Sequence, residues 1–312
     1  MKWKEPELLT DNIWMSDGFD LHLPNRTGTY IINEENLTLI DTGPSLSIPR
    51  IKKSLDYLKR SLHDVTYIIV THVHLDHAGG VGLLLKDCPN AKVVVHPRGA
   101  RHLMEPSRLV KGARAVYGDQ FDSLFDPVVP IEEEKVIVKD HQEILSVSSY
   151  RRLTFLDTPG HAAHHFSIVD SKSKGIFTGD TIGIQYTDAK EFQKEIYLPS
   201  TSPNQFDPAK MEASLALIRS YKPSYIFFGH YGPSQNFDEI EKQITFWLPQ
   251  FVQKGKLLKE EGLAIGSLAD QLVQEVLSHY SLQHLDENHP FITIIKIDAA
   301  VSAMGIFDYL SK

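Results

Sequence analysis

The sequence predicts a mixed α/β (α+β) protein with a helical C-terminal extension, and three observations carry that prediction. Short apolar, β-branched runs recur along the chain as far as residue 236. Amphipathic stretches with helical spacing lie between several of them. After about Phe237 the texture changes to helical periodicity alone.

The elements follow in order. Ile13-Trp14-Met15, Thr29-Tyr30-Ile31-Ile32 and Leu37-Thr38-Leu39-Ile40 read as strands, the last two joined by a polar turn from Asn33 to Asn36 and feeding Asp41-Thr42-Gly43. From Ser47 to Leu62, Ile48, Ile51, Leu55, Leu58 and Leu62 recur at helical spacing with Lys and Arg between them. The run from Val65 to Val70 predicts a buried strand ending in Thr71-His72, then a helical stretch from Val81 to Leu85 and a strand at Val93-Val94-Val95. Residues 98–127 read as alternating helical and irregular chain that covers one edge of a pocket. A second series of strands follows: Leu153 to Leu156, Phe166 to Val169, Gly175 to Thr178, and Tyr225 to Phe228. Chemically active side chains just past several strand ends can meet at one end of a sheet.

Helical periodicity then runs to Gly262, again from Leu268 to Tyr280, and around Ala299 to Leu310. This divides the chain into a catalytic region, 1–236, and a C-terminal helical extension, 237–312. The extension closes the pocket, builds a dimer interface or covers apolar sheet, and the core spacing of Leu268, Leu272, Val276 and Leu277 favours the last.

Composition narrows the partners. With 32 Lys+Arg against 40 Asp+Glu the formal charge is −8, which argues against wrapping nucleic acid or lying on an anionic membrane. No run reaches the roughly 18 consecutive apolar residues of a membrane helix, and the N-terminus lacks the apolar stretch of a secretory signal. The single cysteine, Cys88, rules out an internal disulfide and leaves metal chemistry to nitrogen and oxygen donors. A cytoplasmic protein acting on a small molecule is expected.

Thr71-His72-Val73-His74-Leu75-Asp76-His77-Ala78-Gly79-Gly80 packs three imidazoles and a carboxylate into one tight loop after a buried strand. Such donors suit zinc, iron or manganese, and the glycines permit a sharp turn. Surface histidines in a polar loop would be the bland alternative, but one loop does not complete a metal site, and further donors stand beside Gly or Pro at later strand ends. They are His161 in Asp157-Thr158-Pro159-Gly160-His161, Asp180 in Phe177-Thr178-Gly179-Asp180-Thr181, and His230 in Phe227-Phe228-Gly229-His230-Tyr231-Gly232.

Over residues 10–236 this arrangement resembles the metallo-β-lactamase superfamily, with its Asp-Thr-Gly element, His-x-His-x-Asp-His loop and later His, Asp and His. The resemblance implies an αββα sandwich of two mixed sheets with helices outside. It implies two divalent ions, zinc by default and iron or manganese otherwise. His72, His74 and His161 would hold the first, Asp76, His77 and His230 the second, with Asp180 bridging. Asp41 would stand behind the ligands and orient them. A hydroxide shared by the ions would attack an ester, thioester or lactone carbonyl, as in the glyoxalase-II-like and lactonase branches. Asp76 and Asp180 are then catalytic as well as ligating, and Tyr231 and His165 are candidates for proton delivery, with His164 and Tyr186 also close to ligands in sequence.

A phosphodiesterase of the same fold is the rival enzyme reading, since a two-metal site also stabilises a phosphoryl transition state. β-Lactam hydrolysis is disfavoured because Cys88 is in the wrong segment to replace Asp180. Oxygen or nitric oxide reduction is disfavoured because a histidine, His74, stands where flavodiiron relatives have glutamate. A scaffold without catalysis would have little use for an intact donor set.

Overall fold

A computed structural model describes residues 3–312. By packing, the chain forms two compact units: Met1–Asp157, His164–Gly179 and Tyr221–Gln235 make the first, and Thr158–Ala163, Asp180–Ser220 and Asn236–Lys312 the second. The sequence reading drew one boundary at 236/237. The chain passes into the second unit at Gln235/Asn236, but 158–163 and 180–220 also belong with the C-terminal helices.

The first unit holds both large sheets. Strands β1 (Glu7–Thr10), β2 (Ile13–Asp17), β3 (Gly28–Ile32), β4 (Leu37–Ile40), β5 (Val65–Ile69), β6 (Lys92–Val95) and β7 (Val136–Val138) form a sheet in that spatial order. Pairing is antiparallel from β1 to β4 and parallel from β4 to β7. Parallel neighbours need a crossover, and the helix Ile48–Tyr57 supplies one between β4 and β5. The second sheet uses β8 (Ile144–Ser148), β9 (Arg151–Asp157), β10 (Phe166–Asp170) and β11 (Gly175–Gly179). The chain then leaves for a small ribbon in the other unit, β12 (Ile184–Gln185) with β13 (Tyr197–Leu198), and returns as β14 (Tyr225–Phe228) and β15 (Gly232–Ser234). Its order is β15-β14-β11-β10-β9-β8, with β11 and β14 parallel.

Alternation along the strands explains the layers. Ile31, Leu39, Ile68 and Val93 face one way, onto Ile48, Ile51 and Leu55 of the crossover helix. Met15, Tyr30, Ile32, Ile40, Ile69 and Val94 face the other way, onto Leu153, Phe155, Phe166, Ile168, Phe177 and Phe227 of the second sheet. A strand buried on both faces reads as an unbroken apolar run, which is why 65–70 stood out in the sequence. Phe177 and Phe227 stack at 4.6 Å between ring centroids, and Tyr30 meets Phe177 edge-on at 5.1 Å. Truncating one such ring to alanine typically costs about 3–5 kcal/mol.

Two expectations change in detail. The helix expected over Ser47 to Leu62 ends at Tyr57, because Lys59 turns left-handed (φ 55°) and Leu62 starts a separate 3-10 turn, Leu62–Asp64. Residues 98–127 resolve into three helices, Ala100–Met104, Ser107–Tyr117 and Phe121–Phe125. The last two have an apolar cluster of their own, in which Phe121, Leu124 and Phe125 pack with Leu75, whereas Ala100 and Leu103 of the first join the main core.

The second unit combines the ribbon with helices Pro208–Ser220, Phe237–Glu260, Ile265–His279 and Pro290–Tyr309. Leu268, Leu272, Val276 and Leu277 are buried in it, as their spacing predicts. Pro290–Tyr309 is long and apolar enough to cross a membrane, but 56% of its most apolar window is already buried within the protein, as in a core helix. Its Gly305 permits a close approach: a Cβ there would lie 2.2 Å from the Thr201 carbonyl oxygen.

Candidate metal centre

In the first unit the donor loop is clasped from behind by the end of β4. The Asp41 carboxylate, 2% exposed, accepts the Thr71 backbone N–H at 2.7 Å and the Thr71 hydroxyl at 2.8 Å. Its Oδ2 also lies 2.9 Å from His77 Nδ1. The backbone N–H groups of Thr42 and Gly43 donate to the His77 carbonyl at 2.8 and 3.1 Å. Asp-Thr-Gly thus fixes both ends of the loop that carries His72, His74, Asp76 and His77, and Asp41 has the supporting place expected of it.

His230 follows β14 and is held from another direction. Its Nδ1 lies 2.9 Å from the Arg26 carbonyl oxygen and 3.1 Å from Thr27 Oγ1. Thr27 Oγ1 in turn donates to Asp20 Oδ2 at 3.1 Å, and Arg26 Nε is 3.3 Å from the same oxygen. Burial pushes the Asp20 carboxyl above its ordinary range, and the Arg26 guanidinium opposes that shift. The segment carrying these groups is conformationally costly: Phe19, Leu21, His22 and Asn25 all have φ between 51° and 61°. Asp17 ties it down by accepting the N–H groups of Phe19 and Asn25 at 2.9 and 3.2 Å.

The consequence is a convergent donor set. With Nδ1 of His77 facing a carboxylate and Nδ1 of His230 facing a carbonyl, the ring protons belong on Nδ1 and both Nε2 atoms present lone pairs. Those Nε2 atoms are 3.2 Å apart, and Asp76 Oδ2 lies 3.2 Å from His230 Nε2 and 3.8 Å from His77 Nε2. Three acceptors turned on one point repel one another unless a cation sits among them, so Asp76, His77 and His230 suit a divalent ion.

His72 is fully buried, its ring centroid 4.6 Å from that of His74 and 4.2 Å from that of His77. His165, also fully buried, packs behind it at 5.1 Å. Gly179 makes room there: at φ 47°, a Cβ would stand 2.5 Å from His165 Nε2 and 2.7 Å from Thr71 Oγ1. His164 lies 5.4 Å from the His74 ring. His164 and His165 therefore sit as packing partners of His72 and His74. Tyr231, the other proton-delivery candidate, lies 4% exposed in the apolar core between the sheets, where burial pushes its phenol well above the ordinary range.

In the second unit His161 and Asp180 are both buried and 3.8 Å apart, His161 Nε2 to Asp180 Oδ2. His161 Nδ1 donates to the Ser200 carbonyl at 2.9 Å, again leaving Nε2 as the donor atom. The Ser200 hydroxyl reaches Asp180 Oδ2 at 3.2 Å, and the Ser202 hydroxyl reaches the His161 carbonyl at 3.2 Å. The loop Pro199-Ser200-Thr201-Ser202-Pro203 thus holds both donors in place. Tyr186, whose neighbours in sequence suggested chemistry, spends its hydroxyl on Asp298 at 2.9 Å.

The family model of the metallo-beta-lactamase superfamily matches residues 25–230. A metallo-beta-lactamase fold-containing protein from Sulfurisphaera tokodaii is 29% identical over 216 residues, 68% of this chain and 75% of that protein. The crystal structure titled for the archaeal metallo-beta-lactamase superfamily protein of Sulfolobus tokodaii superposes with a TM-score of 0.68 at 23% identity, covering 96% of this chain and 99% of that one. A probable metallo-hydrolase from Bacillus subtilis is 20% identical over 88% of this chain and 89% of its own length. An atrochrysone carboxyl ACP thioesterase from Aspergillus chevalieri is 26% identical over 50% of this chain and 40% of that protein.

Proposed function

Because the chain belongs to the metallo-β-lactamase superfamily, we propose that it is a binuclear, metal-dependent hydrolase of a carboxylic ester, thioester or lactone. The observation that supports this most directly is the convergence of His77 Nε2, His230 Nε2 and Asp76 Oδ2, each imidazole oriented from behind by an acceptor on Nδ1. By motif order, His72, His74 and His161 hold one ion and Asp76, His77 and His230 the other, with Asp180 shared. Zinc is the first choice for both. When bound, such ions supply Lewis acidity and lower the pKa of water.

The chain's own groups do the rest. Asp41 and the Arg26 carbonyl keep His77 and His230 in the Nδ1–H tautomer, so that neither blocks its own donor atom with a proton. Asp76 is 20% exposed while His77 beside it is fully buried, so of the two it is the donor that faces solvent. The lone thiol, Cys88, is buried and pushed up to about 12, chiefly by burial, so it takes no part as a nucleophile. A thioester substrate draws support from the thioesterase among the relatives.

The test is metal content measured beside a hydrolysis panel of thioesters, lactones, aryl esters and bis-aryl phosphodiesters, for the native chain and Asp180→Ala. About two ions per chain, with activity in a carboxylic class that the substitution abolishes, is the expected result. Activity concentrated in the phosphodiesters would select the rival chemistry. Activity indifferent to Asp180 would refute the donor assignment.

A further inference from the structure

The helix Pro290–Tyr309 is apolar over most of its length, yet one stripe of it carries Asp298, Ser302, Gly305 and Tyr309. Steps of four, three and four residues keep these positions on one face. Each of them meets the segment 186–206 within the second unit. The Tyr186 hydroxyl donates to Asp298 Oδ2 at 2.9 Å, and the Thr201 hydroxyl donates to the Ser302 carbonyl at 2.9 Å. Gly305 lies against the backbone of the loop: a Cβ there would stand 2.2 Å from the Thr201 carbonyl oxygen and 2.7 Å from the Ser202 carbonyl carbon. The Tyr309 ring meets Phe206 edge-on at 5.6 Å. A helix that only covered apolar surface would show an unbroken apolar stripe. This stripe is polar or small where the loop crosses it, and Asp298 and Ser302 are buried there.

The loop is gripped at its start by another helix. Gln243 of Phe237–Glu260 accepts the Tyr197 N–H at 2.8 Å and donates to the Glu195 carbonyl at 2.8 Å, while the Tyr280 hydroxyl donates to its Oε1 at 2.7 Å. The segment that carries His161 rests on a third helix, Pro208–Ser220. The Ser214 hydroxyl donates to the Pro159 carbonyl at 2.6 Å, and the Asp207 N–H just before that helix donates to the Gly160 carbonyl at 2.8 Å. Between these supports, the Ser200 carbonyl takes the His161 Nδ1–H and the Ser200 hydroxyl reaches Asp180. The aim of both donors therefore follows where Thr201 and Ser202 sit on Gly305. A side chain at 305 would force that contact apart by about 1 Å to reach ordinary van der Waals distance, several times the roughly 0.2 Å tolerance of a metal–ligand bond.

We propose that the helix Pro290–Tyr309 is a positioning element of the metal centre, in which Thr201, Ser302 and Gly305 fix the Ser200 loop and so aim His161 and Asp180. That the donors aim at a metal rests on the hydrolase reading above, whereas the line of contacts from helix to imidazole stands without it. These three residues act through the loop and not by ligation. The C-terminal extension then has a part in ion binding that covering apolar surface alone would not give it.

Two readouts on the full chain test this, one with metal and one without. Cobalt(II) affinity is measured for the native protein, Gly305→Ala, Thr201→Val, Thr201→Ser and Leu258→Ala, the last a core truncation in Phe237–Glu260 outside these contacts. Cobalt should bind the site of His161 about 10 to 100-fold more weakly in Gly305→Ala and about tenfold more weakly in Thr201→Val, with a smaller change at the site of Asp76, His77 and His230. Thr201→Ser keeps the hydroxyl and should bind as the native chain does. Leu258→Ala should lower the unfolding midpoint with both affinities kept. If Gly305→Ala fails to fold, Thr201→Val and Thr201→Ser carry the comparison. In the metal-free chain, the ring proton on His161 Nδ1, followed by NMR in histidine-labelled protein, should exchange with water faster in Thr201→Val than in the native chain. Native cobalt affinities in the loop and helix variants, or an unchanged exchange rate of that proton, overturn the proposal, as does an affinity loss that Leu258→Ala reproduces. A native chain that binds no cobalt would refute the hydrolase reading, and the exchange of the His161 ring proton would then decide the role of the helix.

Discussion

Replacing Asp41 by asparagine tests the orienting role of the Asp-Thr-Gly element without changing its shape. The carboxylate accepts three hydrogen bonds, from Thr71 N at 2.7 Å, Thr71 Oγ1 at 2.8 Å and His77 Nδ1 at 2.9 Å. An amide has one acceptor oxygen. If it stays on Thr71 N, the NH2 group faces His77 Nδ1–H; if it turns to His77, the NH2 group faces the Thr71 N–H. Either way, bonds to a charged acceptor worth about 1.5–3 kcal/mol each are lost at a buried site. The remaining escape is for His77 to carry its proton on Nε2, where the metal is expected. Metal affinity at the site with Asp76, His77 and His230 should therefore fall by at least about 100-fold, the upper end for groups behind a ligand, or roughly 2.7 kcal/mol. Competition against a chromophoric chelator reads this directly, with each site resolved by its own transition. Native affinity in Asp41→Asn would refute the tautomer argument, because the geometry leaves no way to keep all three bonds.

Other perturbations reach different parts of the structure. Thr27→Val keeps the shape of the side chain but removes the hydroxyl between Asp20 and His230; about a tenfold loss of metal affinity is expected by the same chelator competition, and no loss would make the contact incidental. Asp157 is held below its ordinary range, first by a hydrogen bond from His96, with burial acting in the opposite direction. A depressed folded-state pKa stabilises above the unfolded value of about 3.9 and loses that contribution as pH falls through the folded value. The gap in urea midpoint between native and Asp157→Asn should therefore be full near pH 6 and close in acid, and a gap that persists below both pKa values would contradict this.

How much the sequence discloses depends on what produces the signal. The strand from Val65 and the strand from Tyr225 were legible because burial on both faces demands unbroken apolar runs. The edge strands Glu7–Thr10 and Val136–Val138 were not, since partial exposure leaves little pattern in four or three residues. The early end of the first long helix was hidden as well, because a left-handed lysine at Lys59 leaves no glycine to mark it. At the donor cluster, His72 to His77 announce themselves by density in sequence. Asp20 and Thr27 do not: they act on His230 from about two hundred positions away, and only the fold makes them neighbours. Ser200 is similar, since its useful atom toward His161 is a backbone carbonyl, which every residue possesses. Tyr231 follows a donor in sequence, and only the fold shows that its ring is buried among the apolar side chains between the sheets.

The small apolar cluster of Phe121, Leu124 and Phe125 has an evolutionary corollary. The helices Ser107–Tyr117 and Phe121–Phe125 pack on each other and on Leu75 through that cluster, whereas Ala100 and Leu103 of the preceding helix join the core beneath the first sheet. Exchange of outward-facing residues on the later two helices, charge included, is therefore felt mainly within that small cluster and leaves the rings between the sheets untouched. The donor residues and the groups behind them are built into the sandwich, and the outward face of the later two helices is the part that can change without disturbing them.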